Sequence, residues 1–184
     1  MHARTTKPLF RLFYGLKPSP AVARQSDHFA ETLDPAVRRV AREHQHITLG
    51  ITCDYEDYPY AVIKALLRAG TRVMAEPFDL SLDQLSINNR SAALRPSRAV
   101  PPLNALQKEI AAAMKEAGVA PRPDWSFSPH QTLFYRDSRP EQRPVEGFLW
   151  RVEQFTLICS HVGHSRHDIL GTWPLKGSAQ YQLF

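Results

Sequence analysis

Apolar positions along the chain fall into short strand-like runs and two or three helical stretches. Residues 7–16 (KPLFRLFYGL) are dense in aromatic and aliphatic side chains and stop at Gly15 and Pro18, which predicts a first strand. Residues 19–43 are helical in composition, with Pro35 dividing them into two pieces. In residues 46–53 (HITLGITC), Ile47, Leu49, Ile51 and Cys53 alternate with His46, Thr48, Gly50 and Thr52, which predicts a strand with one apolar face. A helix over 59–69 follows, with Gly70 as its stop. Strands over 72–82 and 90–95 join at the Asn88-Asn89 turn signal, and residues 96–102 (PSRAVPP) read as a linker.

The strongest helical pattern comes next: Leu103, Leu106, Ile110, Ala113 and Ala117 recur at steps of three and four, and Gly118 closes it. Residues 120–129 are proline-rich and irregular. Strands are predicted over 128–135, 151–160 and 168–176, with a polar loop over 139–144. Helices alternate with strands, but hairpin-like pairs intervene, so the expected class is α+β rather than a doubly wound parallel sheet.

Composition narrows the class without choosing a function. The chain has 184 residues, 43% of them hydrophobic and 22% charged, enough for one folded domain with a continuous core. No run approaches the roughly 20 apolar residues of a membrane span, and the start lacks a signal-peptide core. A soluble, cytoplasmic protein is therefore expected. Two cysteines, Cys53 and Cys159, cannot build a disulfide framework. A net charge of +5 gives a mild preference for anions. No nucleophile elbow, phosphate-loop lysine or dinucleotide fingerprint is present, which argues against serine hydrolase, nucleotide triphosphatase and dehydrogenase chemistry.

Among eight histidines, two belong to a repeated pattern: His46-Ile47-Thr48-Leu49 and, 84 positions later, His130-Gln131-Thr132-Leu133. Histidine and threonine two apart on a strand share a face. Two such strands meeting in one cleft would supply a base, an acid and two hydroxyl donors for in-line cleavage of a phosphodiester, with imidazoles near their ordinary pKa of about 6.5 able to play both proton roles. The alternatives are weaker. His161, His164 and His167 at every third position, or His44 with His46, could ligate a metal, yet zinc wants a fourth ligand and a rigid frame. His28 reads as a helix-surface residue and His2 as part of the tail. Arg4, Lys7, Arg11 and Lys17 could touch a phosphate backbone; Tyr14 and Phe134 could stack on a base, though core packing suits both better.

These segments resemble the 2H phosphoesterase superfamily, and within it the bacterial 2′-5′ RNA ligase-like proteins, or RNA 2′,3′-cyclic phosphodiesterases. The resemblance runs through RLFYGL (11–16), EHQHITLGI (43–51), FSPHQTLFYRD (127–137), EQFTLICSHVG (153–163) and TWPLKG (172–177). It implies a two-lobed α+β fold with pseudo-two-fold antiparallel sheets lining a central cleft and helices outside. The domain would cover 7–177 between tails at 1–6 and 178–184. It implies His46 as proton donor, His130 as proton acceptor, Thr48 and Thr132 on the phosphate, and no cofactor or metal. The substrate would be an RNA end or oligonucleotide with a 2′,3′-cyclic phosphate, opened to a 2′-phosphomonoester. With a 5′-hydroxyl end as nucleophile, the same geometry would give reversible 2′-5′ RNA ligation. The enzyme would be a monomer with no obligate protein partner and no membrane association.

Family members often carry arginine five residues after the second histidine. Here Tyr135 holds that place and Arg136 follows, a phosphate contact only if a bulge brings it to the cleft face. The family's C-terminal aromatic is not evident, and GHSRHDI (163–169) stands in that region. Two other functions fit the same cleft: a 2H phosphoesterase for a small cyclic nucleotide or nucleotide-sugar phosphate, and a non-catalytic RNA-end binding protein.

Overall fold

The computed structural model describes residues 9–176; the expected tails at 1–6 and 178–184 lie outside the described residues. The strands are β1 (Leu9–Leu16), β2 (Ile47–Tyr55), β3 (Phe78–Ser81), β4 (Gln84–Ile87), β5 (Ser91–Arg95), β6 (Gln131–Tyr135), β7 (Glu141–Pro144), β8 (Leu149–Val152), β9 (Gln154–Val162) and β10 (Arg166–Pro174). The helices are α1 (Pro20–Leu33), α2 (Tyr60–Gly70) and α3 (Pro101–Glu116).

Eight strands form one sheet in the order β10-β9-β1-β2-β6-β5-β4-β7, and β3 pairs with β8 in a separate ribbon. The large sheet is two four-stranded antiparallel halves joined in the middle, where β2 meets β6 through the pair Ile47–Gln131. The α+β class holds, with the two lobes continuous through this seam.

The helices are exchanged across the seam. Each of α1 and α3 links two neighbouring antiparallel strands of one half, yet packs on the other half: α1 on β6 and α3 on β2. On β2, a Cβ at Gly50 would lie 2.9 Å from the Met114 sulfur and 3.2 Å from Ile110, so the absent side chain lets α3 close on the sheet. Ser19 caps α1 through its hydroxyl, and Gly118 ends α3 at φ +72°, a conformation that suits glycine. Gly70, the last residue of α2, is there for a different reason, since a Cβ would sit 2.5 Å from the Trp173 ring.

Several predicted elements change. The second helical piece after Pro35 is absent; Arg39 bridges Phe134, the Val40 N–H donates to Leu133, and only a 3-10 turn at Arg42–His44 remains. Edge pairing to β6 wins there over helical propensity. The strand over 72–82 shrinks to β3, and β4 forms the hairpin with β5 through Asn88, whose side chain accepts from the Arg90 and Ser91 amides. Pro101 and Pro102 open α3 instead of belonging to a linker, as prolines do at a first helical turn. The polar loop over 139–144 contains β7, an exposed edge strand, and the strand over 151–160 divides into β8 and β9, which lie in different sheets.

Candidate active site

Both His-Thr strands carry a bulge at the same place. Tyr14 faces Gly50 and Gly15 faces Thr48, leaving Leu49 as the extra residue of β2. Ala92 faces Phe134 and Ala93 faces Thr132, leaving Leu133 as the extra residue of β6. Each bulge buries two consecutive residues and resets the face of those that follow. Thr48 and Ile51 therefore line one cleft, as do Thr132 and Tyr135, and the strict alternation expected through Ile51 and Cys53 does not hold.

The cleft encloses about 750 Å³ and is lined by Arg11, Phe13, Thr48, Thr132 and both motif histidines, among others. The seam pair Ile47–Gln131 directly follows the two histidines, and His46, Thr48, His130 and Thr132 all face this one cleft.

Each imidazole is fixed in the same way. His46 Nδ1 lies 2.6 Å from the His44 carbonyl oxygen, and His130 Nδ1 lies 2.7 Å from that of Ser128. A carbonyl oxygen only accepts, so each Nδ1 carries a proton and Nε2 is the nitrogen left to exchange protons in the cleft. Burial pushes His46 down to about 4, helped by the positive charge of Lys17 and by His130, against the raising effect of the His44 carbonyl. His46 also packs on Phe13, with ring centroids 4.5 Å apart.

His167, from β10, completes that wall. Its ring lies 4.5 Å from His44 and 5.6 Å from His46, and burial lowers it to about 4 as well. The regular spacing of His161, His164 and His167 does not bring them together: His161 bonds Asp168 at 2.7 Å while His167 turns to His44. Among the described residues no group of three or more His, Cys, Asp or Glu is arranged to hold a metal ion.

Cations line the mouth, and the sequence reading missed most of them. The Arg11 guanidinium is held on Asp54 by bonds of 2.6 and 2.8 Å, and Arg122 pairs with the same carboxylate, which Arg11 above all holds below the usual range. Arg39 bonds Asp27 at 2.9 Å, and Arg38 reaches the Ser165 hydroxyl at 3.1 Å across the mouth. Nothing in the 34–41 segment marks Arg38 and Arg39 as cleft residues, because its bridge to β6 is a long-range event. Lys17 donates to the Glu43 carbonyl. Arg136 is not a cleft residue; next to Tyr135 it takes the other face, and its guanidinium pairs with Asp34. Tyr14 and Phe134 are core residues, Tyr14 donating its hydroxyl to the Leu66 carbonyl. Arg4 and Lys7 lie outside the described residues.

No described helix is long and apolar enough to cross a membrane. Among curated protein sequences none matches the chain. Similar solved structures include apo Escherichia coli LigT, 25% identical, covering 94% of this chain and 100% of that one with a TM-score of 0.73. The same protein complexed with 3′-AMP is 23% identical over the same shares, TM-score 0.72. TT0787 of Thermus thermophilus is 21% identical, covering 91% and 99%, TM-score 0.75. A family model described as the 2′-5′ RNA ligase superfamily matches residues 18–164, a span that takes in both histidine motifs and the seam between them. The chain is thus a member of the 2′-5′ RNA ligase superfamily, with the α+β fold of E. coli LigT.

Proposed function

We propose that this protein is a metal-independent RNA 2′,3′-cyclic phosphodiesterase that opens a terminal cyclic phosphate to a 2′-phosphomonoester. One observation carries the reading: both motif histidines and both motif threonines line one cleft, beside the single seam pair Ile47–Gln131. A phosphate among these four side chains meets one imidazole on each side.

Water attacks phosphorus in line, and the bond from phosphorus to the ribose 3′ oxygen breaks. His130 takes the water's proton on Nε2, and His46 gives a proton from Nε2 to the leaving oxygen. The Thr48 and Thr132 hydroxyls donate to the non-bridging oxygens, where charge is concentrated in the transition state. His46 is neutral in the free protein, with its pKa near 4, so as donor it takes up its proton when the phosphate's negative charge arrives beside it. With a 5′-hydroxyl as nucleophile in place of water, the same arrangement gives 2′-5′ ligation.

The arginines at the mouth suit an anionic substrate, and the binding of 3′-AMP and ATP by E. coli LigT supports a nucleotide-bearing one. The test is an oligoribonucleotide ending in a 2′,3′-cyclic phosphate, incubated with the purified protein and excess chelator. Conversion to 2′-phosphate ends is expected. Unchanged ends, or 3′-phosphate ends, contradict the reading.

A further inference from the structure

Tyr135 closes β6 at the rim of the cleft, and its side chain is 71% exposed. Phe13, the other phenylalanine or tyrosine among the described lining residues, is buried against His46. Tyr135 reaches the cleft because of the Leu133 bulge. In a regular strand Phe134 would share the face of Thr132, and Tyr135 would point into the protein. Instead Leu133 and Phe134 both enter the core and the tyrosine emerges beside the phosphate threonine.

A rigid ring with few torsions to immobilise is well suited to stacking on a base. From Thr132 to Tyr135 is three residues of strand, about 7–10 Å at ~3.3 Å per residue with the bulge allowed for. A phosphate on Thr132 and a base on Tyr135 would belong to one nucleotide or to adjacent ones.

We propose that Tyr135 is the nucleobase platform of the cleft, stacking on the base that carries or adjoins the reacting phosphate. The substrate class is then nucleoside 2′,3′-cyclic phosphates, free or at an RNA end, in preference to cyclic phosphates without a base. This deepens the phosphodiesterase reading and rests on it.

The test compares the wild-type protein with Tyr135→Ala and Tyr135→Phe on three substrates: adenosine 2′,3′-cyclic phosphate, a short oligoribonucleotide with a cyclic end, and glycerol 1,2-cyclic phosphate. Tyr135→Ala should lower the preference for base-bearing over base-free substrate about ten- to hundred-fold, through KM rather than kcat, while Tyr135→Phe keeps it. The larger shift between the two base-bearing substrates tells whether a free nucleotide or an RNA end is the better occupant. An unchanged preference in Tyr135→Ala overturns the proposal, as does an equal loss in Tyr135→Phe. If the wild type turns over none of the three, the phosphodiesterase reading fails, and calorimetry decides the platform separately. Tyr135→Ala weakening 3′-AMP but not inorganic phosphate supports the platform; equal weakening of both overturns it.

Discussion

Ile47 pairs with Gln131, and this antiparallel pair ties β2 to β6. Each residue directly follows a motif histidine, and each is buried on the face away from the cleft. Beneath them the Gln131 amide donates to the Gln45 side-chain oxygen at 3.1 Å, also in the core. The relative placement of the two imidazoles therefore depends on a narrow seam between two well-laddered half-sheets.

Gln45→Leu should damage that seam. It leaves the Gln131 amide donor buried and unpaired, at a cost of about 1–3 kcal/mol. Urea unfolding should show the loss, and kcat should fall more than KM rises, because the two halves of the site lose their mutual alignment. The double change Gln45→Leu with Gln131→Leu should recover much of the stability, since neither partner is then left unpaired.

His46 should titrate near 4 in the free protein and move upward when inorganic phosphate fills the cleft, as followed by NMR of the imidazole protons. His46 and His167 both stand near 6.5 unfolded and about 4 folded. The unfolded chain binds those protons more readily, so stability is full above about 6.5 and falls as pH drops toward 4. His167→Phe should flatten the stability profile in that window. The carboxylates of Asp27 and Asp54, held low by arginines, lose their contribution only below their ordinary range, at more acid pH.

His167 packs beside His46, with ring centroids 5.6 Å apart. His167→Ala opens space along the His46 ring and should lower kcat about tenfold with KM little changed, since small misplacements of a reacting group are expensive in rate. His167→Phe preserves the packing and should restore most of kcat.

Gly70→Ala tests the packing of α2 on β10. The new Cβ would lie 2.5 Å from the Trp173 ring, which stacks on Phe155 with centroids 5.2 Å apart. A loss of about 1–3 kcal/mol is expected in thermal or urea unfolding, with kcat unaffected because Trp173 lies six residues along β10 from His167, the cleft residue of that strand.

The histidine and threonine positions were legible because they repeat, and the repeat survives as a structural near-symmetry of β2 and β6. The bulges were not legible. Leu49 and Leu133 look like ordinary alternating residues, and only the neighbouring strands reveal that each is supernumerary. The same gap hid Tyr135 and displaced Arg136, because counting by twos along β6 fails after Leu133. Arg38 and Arg39 escaped for another reason: helix-compatible composition after Pro35 gives no sign that the segment will pair with Phe134 and frame the cleft. Where local pattern and long-range pairing agreed, as in α3, the sequence sufficed.

The central claim is that His46 and His130 act as one acid/base pair on one phosphate. Its most direct test is kcat/KM for His46→Ala, His130→Ala and the double variant on an oligoribonucleotide with a 2′,3′-cyclic end, with chelator present. Each single change should lower the rate by about 10²–10⁴-fold. The double variant should be little worse than either alone, because each removes an indispensable half of one proton transfer. A single variant that keeps wild-type activity would contradict the account.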